Sequence, residues 1–162
     1  MLRDKNLIPL SRQHQHALAL CVRIDRASPI PAGDLPAWQS ELAQIFQSEI
    51  AIHFVAEENV LFPEAEMFKQ LSTLTEELRA DHALLREQFN YAISGSLAAG
   101  EMKVLATRLS THIRKEERQL FERMQELMNA EELSALGKKL EIALKDAAQF
   151  CALHPPASQS SP

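Results

Sequence analysis

The chain has 162 residues, enough to bury one core and too few for two comfortable ones. At 46% hydrophobic and 24% charged it is not a disordered polyelectrolyte, and a net charge of −5 with scattered Lys and Arg excludes a surface built for a phosphate backbone. Nucleic acid is not an expected partner, and no apolar run reaches membrane-spanning length.

Met1-Leu2-Arg3-Asp4-Lys5-Asn6 leads only into the short apolar stretch Leu7-Ile8-Pro9-Leu10, too short for a signal-peptide core. Cys21 and Cys151 make no CxxC pair and suggest no disulfide framework, so a reducing cytoplasm is the expected compartment.

Apolar residues recur at spacings of three and four almost everywhere, and no segment alternates as a strand would, which predicts an all-α fold. A first helix is expected from about Pro9 to Ala27, ended by Ser28-Pro29-Ile30-Pro31-Ala32-Gly33. The second has Asp34 as its cap, Pro36 near its first turn, and a pattern from Ala37 to Phe62 that Pro63 breaks or kinks. A short linking helix follows over Glu64 to Leu71. Thr73 and Glu76 have capping-box spacing, starting a third helix that runs to about Ser94, and Gly95 and Gly100 bracket the next turn. The fourth covers Glu101 to Met128. Asn129 with Glu132 repeats the capping signature for a fifth, ending near Leu153. Rods of about 20 residues are about 30 Å long, which fits an up-down four-helix bundle with an additional C-terminal helix. One domain is expected over residues 1–153, followed by a disordered tail over 154–162.

Two echoes run through the chain. His53-Phe54-Val55-Ala56-Glu57-Glu58-Asn59-Val60-Leu61-Phe62 and His112-Ile113-Arg114-Lys115-Glu116-Glu117-Arg118-Gln119-Leu120-Phe121 both read H-x-x-x-E-E-x-x-L-F. Upstream of them, Leu10-Ser11-Arg12-Gln13-His14 and Leu78-Arg79-Ala80-Asp81-His82 both read L-x-x-polar-H. Residues four apart share a helix face, so each H-x-x-x-E can offer an imidazole and a carboxylate to one metal pair, with facing helices supplying the rest. That donor mixture suits iron, zinc, copper or manganese, whereas Mg²⁺ and Ca²⁺ prefer oxygen alone.

The candidates lie on apolar stripes. His14 falls among Leu10, Ala17, Cys21 and Ile24, while His16, about 200° further round, falls beside Gln13 and Arg23. His53 and Glu57 share a face with Phe46, Ile50, Val60 and Leu61; His82 with Leu78, Leu85 and Phe89; His112 and Glu116 with Leu105, Leu109 and Leu120. Unligated, each such polar group would cost a few kcal/mol. A lone histidine on an apolar face is more often a hydrogen-bonded core residue; four of them repeating with Glu at fixed spacing favour metal. Glu58 and Glu117, one residue off the stripe, are expected beside the site or facing solvent. His16 is expected at the surface, His154 in the tail, Trp38 and Tyr91 in packing, and Cys21 as a small buried apolar residue.

The pattern of His, H-x-x-x-E, His and H-x-x-x-E over Leu10 to Phe121 resembles the hemerythrin-like family, or HHE cation-binding domains. The resemblance implies a di-iron centre with Glu57 and Glu116 as bridges and His14, His53, His82 and His112 as terminal ligands, zinc or manganese being possible substitutes. The chain departs from the oxygen-carrying hemerythrins, which have a second histidine where Arg86 stands and His-x4-Asp where this chain has His112-x3-Glu116. Metal binding is thus implied more directly than reversible oxygen carriage. The expected function is non-catalytic, binding or sensing O2 or NO or buffering iron. Two alternatives stay open at this point: a small di-iron redox enzyme or iron-centre repair protein, and a structural bundle with adventitious zinc. Oxygen-activating carboxylate sites need Glu-x-x-His on each of two helices, and none of the six histidines has Glu three residues before it.

Overall fold

The computed structural model describes residues 2–153, and every regular element among them is helical. The tail expected over 154–162, with His154, lies outside the described residues. Five long helices are present: α1 (Ile8–Ala27), α2 (35–66), α3 (Ser72–Ile93), α4 (99–127) and α5 (Ala130–Leu153). Helix α1 lies along α4, α2 along α3, and α3 along α4, while α5 packs against α2. No helix among the described residues is long and apolar enough to cross a membrane.

Two helices widen locally into π-type turns, at Phe46–Ile50 and Glu57–Leu61 in α2 and at Glu116–Leu120 in α4. The second of these explains how the helix passes Pro63 without a break, where the sequence allows either a break or a kink. Within it the Phe62 N–H reaches the Glu57 carbonyl, five residues back. Pro63 has no N–H for the next carbonyl in that series, that of Glu58, and Arg79 Nη1 donates to it instead at 3.3 Å. The helix therefore continues to Glu66, and the only separate link is a 3₁₀ turn, Lys69–Leu71.

Two expected caps also fail. Asp34 stands at the N-cap of α2, but its backbone is already in the α region (φ −92°, ψ −12°), and its carboxylate bonds no helix N–H. Helix α3 enters directly from the 3₁₀ turn, whose Lys69 carbonyl accepts the Ser72 N–H, so Thr73 sits inside the helix with nothing to cap. The Asn129 box does form: Asn129 Oδ1 accepts from the N–H groups of Glu131 (2.9 Å) and Glu132 (3.0 Å), and Glu132 Oε2 accepts from the Asn129 N–H at 2.8 Å. Helix α3 closes on Gly95 at φ +69°, where the Ser96 N–H reaches the Tyr91 carbonyl (2.8 Å) and the Gly95 N–H that of Ala92 (3.1 Å). The buried Gln39 then clamps this turn to α2, donating to the carbonyls of Gly95 and Leu97.

The core is divided. One apolar cluster gathers residues such as Cys21, Ile24, Phe46, Leu85, Phe89 and Leu105; a second gathers Leu10, Leu61, Leu78, Leu120, Met124 and Leu136. Between them lies a layer containing His14, His53, Glu57, His82, His112 and Glu116. Cys21 is buried as expected, and burial pushes its thiol up to about 11. Trp38 packs at the edge of the first cluster. Tyr91 is not the packing group expected: it is 44% exposed and donates to Glu87, because it lies opposite the buried Phe89 and Ala92 on α3.

Gly95→Ala is expected to cost about 1 kcal/mol, the penalty of a Cβ in the left-handed region, since its nearest neighbour there would be Gln39 Oε1 at 3.9 Å. Urea denaturation checks this, and a neutral substitution would contradict the assigned turn.

Candidate metal centre

The structure brings all six sequence-predicted residues together, each 5% exposed or less. Helical spacing alone does most of this, because His53 with Glu57 and His112 with Glu116 sit one turn apart on single rods. His53 Nε2 lies 3.0 Å from Glu57 Oε1, and His112 Nε2 lies 3.3 Å from Glu116 Oε1. Neighbouring helices bring His14 Nε2 to 2.9 Å from His53 Nε2, and His82 Nε2 to 3.0 Å from His112 Nε2.

The two carboxylates divide their oxygens between these imidazole pairs. Glu57 offers Oε1 to His14 (3.7 Å) and His53, and Oε2 to His82 (3.3 Å). Glu116 offers Oε2 to His14 (3.2 Å) and Oε1 to His112. Two groups result, His14–His53–Glu57–Glu116 and Glu57–His82–His112–Glu116, and within each the candidate donor atoms lie within 4.8 Å of one another.

These atoms fit a cation. Donors about 2.1 Å from one ion at right angles stand about 3 Å apart, the scale of the separations above. All four carboxylate oxygens are buried without a hydrogen-bond donor, a condition that a protein interior tolerates only where something else neutralises them. The donor chemistry, imidazole nitrogen with carboxylate oxygen, suits a transition metal.

A second layer fixes each ring. His14 Nδ1 donates to Glu117 Oε1 at 2.7 Å, and His82 Nδ1 donates to Glu58 Oε1 at 2.8 Å. Carboxylates only accept, so in the neutral ring the proton resides on Nδ1 and the Nε2 lone pair is free to face inward. Glu117 is held by Arg3 Nη2 (2.6 Å), and Glu58 by a two-point clamp from Arg86 at 2.6 and 2.9 Å. His53 Nδ1 donates to the Gln13 amide oxygen at 2.8 Å. His112 Nδ1 lies 3.5 Å from Asp81 Oδ2, long for a hydrogen bond, so Asp81 acts on it mainly through charge. Phe54 stacks on His82 with centroids 3.8 Å apart, and Phe121 on His14 at 5.6 Å.

Sequence reasoning missed four of these supports. Gln13 and Asp81 occupy the polar place of the L-x-x-polar-H echo, which is the available signal, although on a helical wheel Gln13 falls with His16 on the far side of α1. Arg3 comes from the segment before α1, and Arg86 stands out in the sequence only as a departure from the oxygen-carrying pattern. Glu58 and Glu117 stand beside the site, as expected. His16 faces solvent and pairs with Glu49 at 3.2 Å.

The charges in the metal-free protein balance internally. Burial opposes charging of His14, but the carboxylates of Glu116, Glu117 and Glu57 around it hold its pKa well above the usual imidazole value. Burial likewise opposes charging of His112, yet Glu116 and Asp81 carry it up to about 9. Burial would raise Glu57 and Glu116, but the surrounding histidines hold both below the usual carboxylate range.

A helical bundle whose core carries two imidazole–carboxylate groups sharing two carboxylates belongs to the class of bundles able to hold metal between their helices. The sequence profile of the hemerythrin HHE cation-binding domain matches residues 9–124, and the chain belongs to that family. Neither the curated proteins nor the solved structures compared with it give a match.

The pH dependence follows from His112. A group whose pKa is raised on folding contributes stability that is complete below its free value of 6.5 and is lost as pH rises through about 9. Chelator-treated protein is expected to lose stability over that interval in thermal melts. A flat profile for the stripped protein would contradict a protonated cluster.

Proposed function

We propose that this chain is a non-haem di-iron protein of the hemerythrin-like type, one domain over residues 1–153 built as an up-down four-helix bundle with a C-terminal helix added. His14 and His53 would hold one ion, His82 and His112 the other, and Glu57 and Glu116 would bridge them. The single observation that carries this reading is the set of four buried carboxylate oxygens, free of hydrogen-bond donors and ringed by imidazole nitrogens. Iron is the preferred metal on the family pattern, with zinc or manganese able to substitute in the same donor set. The absence of a disulfide pattern favours the cytoplasm.

Iron bound there supplies open coordination positions for a small ligand and a change of oxidation state. The protein's own part is to exclude water, fix four ring orientations and admit only small molecules. A cavity of about 10 Å³ adjoins the site, walled by Ala17, Ile50, Phe54 and Leu109 and by His14 and His53 themselves. That volume is near the lower limit for a single water, so as the side chains stand nothing larger than a very small ligand has room beside the site. We therefore read the protein as a module that binds or senses a diatomic gas, or buffers iron, and not as a turnover enzyme.

Anaerobic loading is expected to give a pair of iron ions per chain, with near-ultraviolet and visible bands on exposure to oxygen or nitric oxide that zinc loading lacks. His53→Ala and His112→Ala are expected to lose metal and the stabilisation that comes with it, about 2.7 kcal/mol at 100 times Kd. His16→Ala is expected to change neither. Full metal retention in both site variants would overturn the assignment.

A further inference from the structure

The internal repeat provides a comparison within one molecule. Each half supplies a histidine bonded to an Arg-clamped carboxylate: His14 with Glu117 and Arg3, and His82 with Glu58 and Arg86. In this respect the two halves match. They differ at the polar place of the L-x-x-polar-H echo. Gln13 offers His53 a neutral amide oxygen, whereas Asp81 offers His112 a carboxylate. Lys115 bonds Asp81 at 3.1 Å but is shared with Glu77 at 3.4 Å, so this trio keeps a net negative charge beside His112. Glu49, which lines the cavity together with Gln13, is engaged with the exposed His16.

A carboxylate facing Nδ1 raises the basicity of the opposite nitrogen through its charge, and groups outside the ligating set change metal affinity by about 10–100-fold. Accessibility divides the halves in the same sense. The apolar cavity is lined by both His14 and His53, but of the other pair only by His112, which also backs a surface pocket beside Asp81 and Lys115, while His82 is fully buried beneath Phe54.

We infer that the two cation positions are unequal: the His82–His112 position is the tight, permanently held one, and the His14–His53 position is the weaker, exchangeable one that faces the cavity. Gln13 and Asp81 are the positioning residues that set the difference. This inference rests on the two-metal reading above.

The test is anaerobic titration of Co²⁺ into the metal-free full chain, followed by calorimetry and cobalt absorption. Two steps are expected, separated by about tenfold or more. Asp81→Asn should weaken the first step by about 10–100-fold and merge it with the second. Gln13→Glu, of the same size and shape, should tighten the second step and leave the first in place. His53→Ala should abolish the second step alone; if that variant loses its helical circular dichroism, the two isosteric changes still decide. Equal steps in the unaltered protein, or a separation indifferent to both isosteric changes, would overturn the inequality while leaving the two-metal reading intact. No cobalt bound at all would overturn that reading itself.

Discussion

Everything in this molecule is arranged around one electrostatic problem, the placement of Glu57 and Glu116 in the dry middle of a helical bundle with no hydrogen-bond donor on any carboxylate oxygen. An ionised carboxylate taken out of water costs several kcal/mol even after relaxation, and a whole domain has only about 5–15 kcal/mol of net stability. Two such groups cannot be left uncompensated. In the metal-free protein the neighbouring imidazoles offset that charge, and the carboxylates strengthen the hold of His14 and His112 on their protons. A bound cation would displace those protons and occupy the same electrostatic place, which makes metal affinity and proton release two views of one equilibrium. The apolar clusters above and below exclude the water that would otherwise solvate the carboxylates and weaken every charge interaction in the layer.

The solution is built twice, and the duplication reaches beyond the ligating positions. Each E-E-x-x-L segment opens into a π-type turn that begins at the inward glutamate. The wider turn brings the adjacent glutamate round far enough to reach a histidine on another helix, so Glu57 faces the cluster while Glu58 bonds the back of His82. Both turns carry an arginine on the carbonyl of that second glutamate, Arg79 at Glu58 and Arg3 at Glu117, and each arginine lies over the phenylalanine that ends the motif, at 5.2 and 5.0 Å. One arginine comes from a helix and the other from the segment before α1. The local chemistry was kept while its source in the chain changed.

That contrast shows what can be read from one sequence. Helical period placed His14, His53, His82 and His112 on inward stripes because side-chain direction in a helix is fixed by spacing alone, and the Asn129 cap was legible because both its partners lie within one turn. Pro63 left a break or a kink open for a non-local reason: whether proline ends a helix depends on who satisfies the freed carbonyl, and here that is Arg79 from the next helix. Thr73 misled because a preceding 3₁₀ turn had already begun the helix. Gln13 reads as an outward residue on a helical wheel, yet its side chain is long enough to pass the edge of α1 and reach His53. Arg3 could not have been assigned at all, since its partner Glu117 is separated from it by almost the whole bundle.

The size of the cavity limits the chemistry more than the donor set does. A bridged metal pair can in principle oxidise, reduce or hydrolyse many substrates, but turnover of an organic molecule needs room for it and a group to move its protons. The cavity beside His14 and His53 has neither: its inner wall is aliphatic and aromatic, and the two polar residues on it outside the cluster, Gln13 and Glu49, are already engaged, one with His53 and the other with surface His16. Outside the six cluster residues, that wall therefore presents no unengaged acid or base.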